Sequence, residues 1–555
     1  MGLDPRTPVI VGAGQVNERL DNPELEPVDL MAMAAREAAD PRVLQAVDAI
    51  RVVNLLSWRY RDPGLLLAAK IGAKAPATSY TGAGGNTPQS LVNQACLDIQ
   101  QGRTDVVLLA GAETWRTRKR LQNNGIRPHW TRQDDSVAVP PGAESEVPMA
   151  GPAEDHVGLL LPSHVYPMFE QALRIANGES SDEHRRRIGE LWARFSAVAA
   201  DNPHAWSREP IPAEEIWQPR PDNRMISWPY PKLMNSNNMV NQGAVVLLCS
   251  AERATHLQIP QDQWVFPYAG TDSHDTYSIT ERGDLHRSPA IRIAGRRALE
   301  LAGIGVDDLD HVDLYSCFPS AVQVAAAELG LALDDPQRPL TVTGGLTFAG
   351  GPWNNYVMHS IATMTGLLRA DPKRRGLISA NGGYLTKHSF GVYSATPPPT
   401  AFRWEDVQPA VDREPTRTAL VSWEGTGTVE AWTAPFGRDG KPEKAFLSVL
   451  TPAGERTLGL IEDPDAAAVT VDTDIAGARV RVASDGRAAL GRRVEGGGAD
   501  GEDLLGVLRF HRLDGVAGID RALERVGIDH RRDIRDHHRI QQGRHAGHDV
   551  FRIRR

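Results

Sequence analysis

The sequence predicts an α/β protein built from two similar halves, with an insertion inside the first half and a small β-rich unit after the second. Three observations carry this. Short continuous apolar runs alternate with helical stretches over residues 1–120 and again over 288–395. Residues 121–235 break that alternation with more Pro, Trp and charge. Residues 400–490 hold only short apolar runs separated by glycine turns. Continuous apolar runs belong to strands buried on both faces, as in sheets covered by helices.

The elements follow in order. Pro8-Val9-Ile10-Val11 reads as a strand ending in the Gly12-Ala13-Gly14 turn, and residues 28–39 as a helix. The turn Thr81-Gly82-Ala83-Gly84-Gly85-Asn86-Thr87-Pro88 precedes a helix over Gln89–Gln101. Leu91, Val92, Ala95, Cys96 and Ile99 give that helix its 3.6-residue period. Asp105 to Gly111 is a buried-type strand. The insertion carries helices near 163–176 and 182–200, and Ala244 to Cys249 returns the chain to the core. The second half reads as a helix over Ala290–Ala302, strand Val312 to Tyr315, and a helix near Ala321–Leu329. The turn Thr343-Gly344-Gly345 follows, then a helix near Asn355–Leu368 and strand Gly376 to Ser379. Gly437-Arg438-Asp439-Gly440 marks a hairpin, and the runs near 447–450, 457–461 and 480–482 are strands of a small all-β domain.

Composition narrows the class. Of 555 residues, 41% are hydrophobic and 24% charged, as in globular proteins, and the formal net charge is -9. That acidity disfavours a nucleic-acid polyelectrolyte binder. Three cysteines make neither a disulfide framework nor a four-cysteine zinc site, so the expectation is a cytoplasmic protein. No run approaches a membrane span, and no secretion signal is evident. Gly12-Ala13-Gly14 lacks the third glycine and acidic partner of a dinucleotide site. Residues 491–555 differ from the body, with 14 Arg, 11 acidic residues and no Lys, Ser or Thr. They read either as a disordered basic tail for an acidic partner or as sequence from outside the natural frame. Their histidines (His530, His537, His538, His545, His548) have no element to fix a metal geometry.

The ordered motifs of residues 8–395 resemble the thiolase superfamily. Met234 to Ala244 (Met-Asn-Ser-Asn-Asn-Met-Val-Asn-Gln-Gly-Ala) resembles its Asn-rich segment, and Asp105 to Glu113 its strand ending in Ala-Gly-Gly-Met-Glu. Thr343 to Pro352 resembles the turn that normally ends Gly-His-Pro. Tyr315-Ser316-Cys317-Phe318 resembles the His-Asp-Cys-Phe box of sterol-carrier-type thiolases, and Asn381-Gly382-Gly383 their Asn-Gly-Gly turn. Val198 to Ala205 matches the same subgroup. A β-rich domain fused after them resembles the actinobacterial thiolase-like proteins of type 1. The resemblance implies a duplicated, five-layered αβαβα thiolase fold. It implies a first half over 1–120 continued at 236–270, an insertion over 121–235, and a second half over 271–398. An OB-like additional domain over 399–490 follows. Thiolases usually dimerise, and an added domain could block that, so the expectation is a monomer or a homodimer.

The departures from the family concern chemistry. A thiolase carries its acyl group on a cysteine thiolate at a helix N-terminus. Here that position falls on Gly85, with Gly82, Gly84, Asn86 or Thr87 reached by small shifts. The activating His falls on Gly351, and the second Cys or His on Ser379 or Ala380. Cys96 and Cys249 read as core residues and Cys317 as structural. Two glycines at these positions imply a roomier cleft. Tyr315 is an acid/base candidate or a packed aromatic; His388, after Lys387, is a general-base candidate or structural. Asn354, with Asn355, is placed to polarise a thioester carbonyl or to cap a helix. Gly85, Gly351, Asn354, Asn381 and Gly382 line the expected acyl pocket. Arg118 and Lys119, with Arg116, Arg120 and Arg185-Arg186-Arg187, suit coenzyme A phosphates or form solvated faces.

The implied function is binding of coenzyme A or an acyl-CoA in lipid metabolism, with no covalently bound cofactor, no nucleic acid and no membrane insertion. The alternatives are a retro-aldolase, another lyase or a residual acyltransferase on a bulky acyl-CoA, and a non-catalytic interaction protein.

Overall fold

Strands buried on both faces need helices on either side, and the chain supplies them twice. The computed structural model describes residues 3–20, 22–142 and 147–491. The first sheet runs in the order Pro8–Asn17, Gln242–Ser250, Val106–Glu113, Ala49–Val52, Ala77–Tyr80. The second runs Arg403–Asp406, Phe266–His274, Lys387–Ser394, Arg375–Gly382, His311–Asp313. In the first sheet two antiparallel pairings are followed by a parallel one. The second repeats that sequence from Phe266–His274 onward. The repeated pairing is the duplication made visible.

Helices Thr87–Gln100 and Tyr356–Ala370 lie between the sheets and pack on strands of both. Pro27–Ala38 covers the outer face of the first sheet and Pro289–Ala302 that of the second. The layers are therefore helix, sheet, helix, sheet, helix. The Gly12-Ala13-Gly14 run does not end its strand, which continues to Asn17. A Cβ on Gly14 would lie 2.0 Å from the Ala34 carbonyl oxygen, so the glycines let helix Pro27–Ala38 press onto the strand.

The insertion is tied down by a buried polar network. His184 lies between Glu179, at 2.5 Å, and Glu170. Glu170 also accepts from Tyr230 Oη and, at 2.6 Å, from Gln323 Nε2. Gln323 belongs to helix Pro319–Leu329 of the second half, so the network joins insertion to body. A buried network with every member bonded fixes one arrangement of its elements.

After residue 400 a six-stranded sheet forms in the order Ala419–Leu420, Arg456–Ile461, Ala445–Leu450, Gly425–Thr433, Arg479–Val482, Ala488–Leu490. One helix, Pro464–Asp472, accompanies it. Its core includes Val429, Trp432, Leu447, Val449 and Val480. Arg174 of the insertion grips Asp474 through two bonds of 2.9 Å. Arg456 is fully buried, paired with Glu430 at 2.7 and 2.8 Å, and donates to the carbonyls of Thr280, Arg282 and Gly283. The residues from 492 onward, and the readings attached to them, lie outside the described residues.

Arg456 therefore docks the additional sheet onto the second half. Arg456→Met strands Glu430 and several buried carbonyls, and is expected to cost about 3–5 kcal/mol in chemical denaturation. A change under about 1 kcal/mol would show that the guanidinium is not the anchor.

Candidate active site

The duplication brings the N-termini of the two inner helices together. Before Thr87–Gln100, the Gly84 carbonyl accepts from Thr87 N at 3.1 Å and Thr87 Oγ1 at 2.8 Å. Gly84 N donates to Asn354 Oδ1 at 3.0 Å, just before Tyr356–Ala370. Asn354 Nδ2 donates to Asn54 O at 3.1 Å. Asn354 thus neither caps its helix nor offers a free amide to a carbonyl; it holds the glycine loop. Asn355 is likewise spent, donating to Gly111 O at 2.7 Å.

At Gly85 the expected extra room is absent. A Cβ there would lie 2.4 Å from Asn381 O and 2.5 Å from Tyr315 Oη. The phenol of Tyr315 fills the space that a side chain at Gly85 would take. Its ring stands edge-on to Tyr356 at 5.5 Å, and its backbone N–H donates to Ser379 Oγ at 2.9 Å. Its hydroxyl has no hydrogen-bond partner among the described residues. Burial, then Cys317 and Tyr356, raises its pKa well above the usual phenol value, so it is a neutral donor.

Asn381 is buried and donates to Tyr166 Oη at 2.9 Å, while its Oδ1 has no partner among the described residues. Gly382 packs on the same loop: its Cβ position lies 2.6 Å from Asn86 Oδ1 and 3.1 Å from Lys387 Cε. Gly351 differs. A Cβ there would meet only ordinary neighbours, Asn238 Nδ2 and Ser236 Cβ at 3.4 Å. Its N–H donates to Asn237 O at 2.9 Å and its carbonyl accepts from Asn238 Nδ2 at 2.7 Å.

His388 is not at the mouth of the pocket. It is buried, with Nε2 3.2 Å from Leu385 O and 3.4 Å from Asp275 Oδ2. Burial alone would raise the Asp275 carboxyl, but Arg282, then His388 and Ser288, hold it below the ordinary carboxylate range. Successive strand residues face opposite ways, so the neighbour Lys387 takes the place over the glycine loop. Lys387 is the site residue that sequence reasoning underweights; strand alternation is the signal that finds it. Tyr315, Ser379, Asn381 and His388 line one cavity of about 10 Å³, room for a single water at most.

Arg118 and Lys119 sit on helix Trp115–Asn123, stacked over Trp115 at 5.5 and 5.7 Å. Arg118 Nη1 also donates to Leu56 O at 2.8 Å. Trp115 meets Trp353 edge-on at 5.1 Å, which links these cations to the loop carrying Gly351 and Asn354. Arg185 lies elsewhere, stacked with Trp217 and Trp228 in the insertion. Among the described residues no group of His, Cys, Asp or Glu side chains could hold a metal, and no helix is long and apolar enough to cross a membrane.

All three thiols are buried. Burial pushes Cys249 and Cys317 up to about 12 and Cys96 higher still, so none is a thiolate near neutrality.

Layers, duplication and the paired helix N-termini define a thiolase-fold protein. Family models agree: "Thiolase C-terminal domain-like" matches residues 271–351 and "Thiolase-like protein type 1 additional C-terminal domain" matches 406–487. A monomeric SCP2-thiolase-like protein type 1 from Mycobacterium smegmatis is 32% identical, with a TM-score of 0.75 over 88% of this chain and 100% of that one. The chain belongs to the thiolase-like protein type 1 family. The acetyl-CoA acetyltransferase of Methanothermobacter thermautotrophicus is 24% identical over 212 residues, 36% of this chain. The match covers 53% of that relative, so the chain spans about half the length of the curated proteins it matches. Acetyl-CoA acetyltransferase from Syntrophomonas wolfei shares the fold at 15% identity, with a TM-score of 0.50 over 71% of this chain and all of that one.

Two outcomes follow from the geometry. Gly85→Ala is expected to cost about 1–3 kcal/mol by overpacking. Gly351→Ala should leave stability level or raise it by about 0.4–1 kcal/mol, since its Cβ has room. Urea unfolding of both variants checks the contrast, and equal effects would refute it. Glu113 is buried at the end of its strand, accepting from Leu56 N at 2.8 Å and Ser57 N at 2.7 Å. Burial pushes its carboxyl up from 4.5 to about 7 despite these donors. The folded state then holds a proton that the unfolded state has lost, so stability is greatest below about pH 4.5 and falls as pH rises to about 7. The fall is roughly 3 kcal/mol. Glu113→Gln should remove that slope from a series of denaturation curves taken from pH 4.5 to 8; an unchanged slope would assign it to other groups.

Proposed function

We propose that this chain binds a coenzyme A thioester in the thiolase cleft and does not run cysteine-based acyl transfer. The observation that carries the reading is at Gly85: the residue has no side chain, and Tyr315 Oη and Asn381 O close the space where one would stand. The three cysteines offer no substitute, being buried and protonated. The ligand's nucleotide phosphates are assigned to Arg118 and Lys119, which line the approach through Trp115 and Trp353. Its acyl end lies toward Asn381 and Gly382. The protein works as a monomer: Tyr80 N donates to Pro141 O at 3.1 Å, so its own chain covers the outer edge of the first sheet. A role in lipid metabolism within the cytoplasm fits such a ligand.

One observation favours a second reading, a lyase. Tyr315 and His388 line the same small cavity, and His388 is backed by Asp275. A buried His–Asp pair can move a proton, and a neutral phenol can donate to a thioester oxygen.

Calorimetry with CoA and acyl-CoAs tests the first reading, with intact-mass analysis after acetoacetyl-CoA. Binding without adduct or thiolysis is expected. A cysteine adduct with turnover overturns the non-catalytic claim, and no binding of any CoA species leaves only an interaction role. Turnover of a 3-hydroxyacyl-CoA, lost in Tyr315→Phe with binding retained, would select the lyase.

A further inference from the structure

Lys387 opens the strand Lys387–Ser394 and lays its side chain across the glycine loop. Its Nζ donates to Ala83 O at 2.6 Å and stands 2.9 Å from the Cβ position of Gly84. No carboxylate lies within ion-pair distance of it among the described residues. One carbonyl bond leaves the ammonium two free N–H groups and its whole charge. Burial lowers its pKa, as it does for a cation with no counter-ion.

The N-terminus of helix Thr87–Gln100 lies at the same place, and Asn86 gives it no side-chain cap. A helix N-terminus carries partial positive charge and free N–H groups. Lys387 therefore adds a full charge to a partial charge of the same sign, with nothing negative between them. Such a pair is unfavourable when empty and favours an anion when filled. Independent polar capacity faces the site as well. Asn381 is only 4% exposed and its Oδ1 has no partner among the described residues, and the Tyr315 hydroxyl also has none.

We propose that Lys387 receives a carboxylate carried on the acyl group, so that the site selects thioesters of dicarboxylic acids. This rests on the coenzyme A thioester reading above. An anionic oxygen could also come from a phosphate of coenzyme A, and the experiment separates the two sources.

The test is calorimetry of the full chain and of Lys387→Met with CoA, acetyl-CoA and malonyl-CoA. The wild-type protein should bind malonyl-CoA at least tenfold tighter than acetyl-CoA. Lys387→Met should lose that preference and bind acetyl-CoA as the wild type does. Equal wild-type affinities for the two thioesters overturn the proposal while leaving the thioester reading intact. Weaker binding of all three ligands by Lys387→Met places a phosphate at the lysine and also overturns it. No binding of any of them by the wild type removes the thioester reading, and this proposal with it. Should Lys387→Met melt several degrees low, Lys387→Arg must keep the preference and Lys387→Gln lose it; the reverse pattern refutes the assignment.

Discussion

The bond from Gly84 N to Asn354 Oδ1 joins the N-termini of two helices that are far apart in sequence, one from each half of the chain. The site depends on this meeting. Each helix begins with backbone N–H groups that its own turns cannot satisfy. In a five-layered fold those ends point inward, between two sheets, where unsatisfied groups are costly. The chain answers with side chains from the opposite half. Asn354 takes the Gly84 N–H, and Asn355 turns back to Gly111 of the first sheet. Polar side chains on the inner helices do the same further down: Asn93 reaches Asp272 at 3.0 Å and Ser389 at 3.1 Å in the second sheet. The glycines opposite, Gly111, Gly270 and Gly391, leave room for these carboxamides at about 2 Å from their Cβ positions.

This arrangement decides what Gly85 can be. With Asn381 O and Tyr315 Oη against it, the position has no volume for a nucleophile. Gly351 is another matter, since ordinary contacts surround its Cβ position. The two glycines look equivalent in sequence but are not equivalent in space. One is closed by neighbours from the second half, and the other keeps the room its missing side chain would use.

Much of the architecture was legible in the sequence. Continuous apolar runs marked Val106–Glu113 and Gln242–Ser250, and the 3.6-residue period marked Thr87–Gln100. Strands with mixed composition were not legible. Lys387–Ser394 begins Lys-His-Ser and reads as a loop, yet it is central in the second sheet, with its polar residues bonded across layers. Because that strand was missed, its alternation was missed too, and His388 rather than Lys387 was assigned to the mouth. Gly12 to Gly14 failed in the opposite way, since glycine was taken as a turn where helix–strand contact required it. At the site, residue types were read correctly but their contacts were not. The role of Asn354 is fixed by Gly84, 270 residues away, and no local pattern carries that information.

The additional sheet is part of the same argument. Arg456 reaches from it to the carbonyl of Arg282. The guanidinium of Arg282 in turn donates to the carbonyls of Tyr384, at 3.0 Å, and Leu385. Leu385 holds φ of 54°, a left-handed conformation that a leucine keeps only when its surroundings impose it. Its N–H is taken by Tyr166 Oη at 2.8 Å, and its carbonyl by Arg282 and His388. This turn carries Asn381 and Gly382 at one end and Lys387 at the other. The strained residue in its middle is therefore clamped from the insertion, through Tyr166, and from the additional sheet, through Arg456 and Arg282. A thiolase fold stripped of that sheet would leave the buried Arg282 loop without its partner and the turn with one clamp fewer. The added domain is thus a structural component of the site, and its fusion to the chain keeps it at the loop it supports.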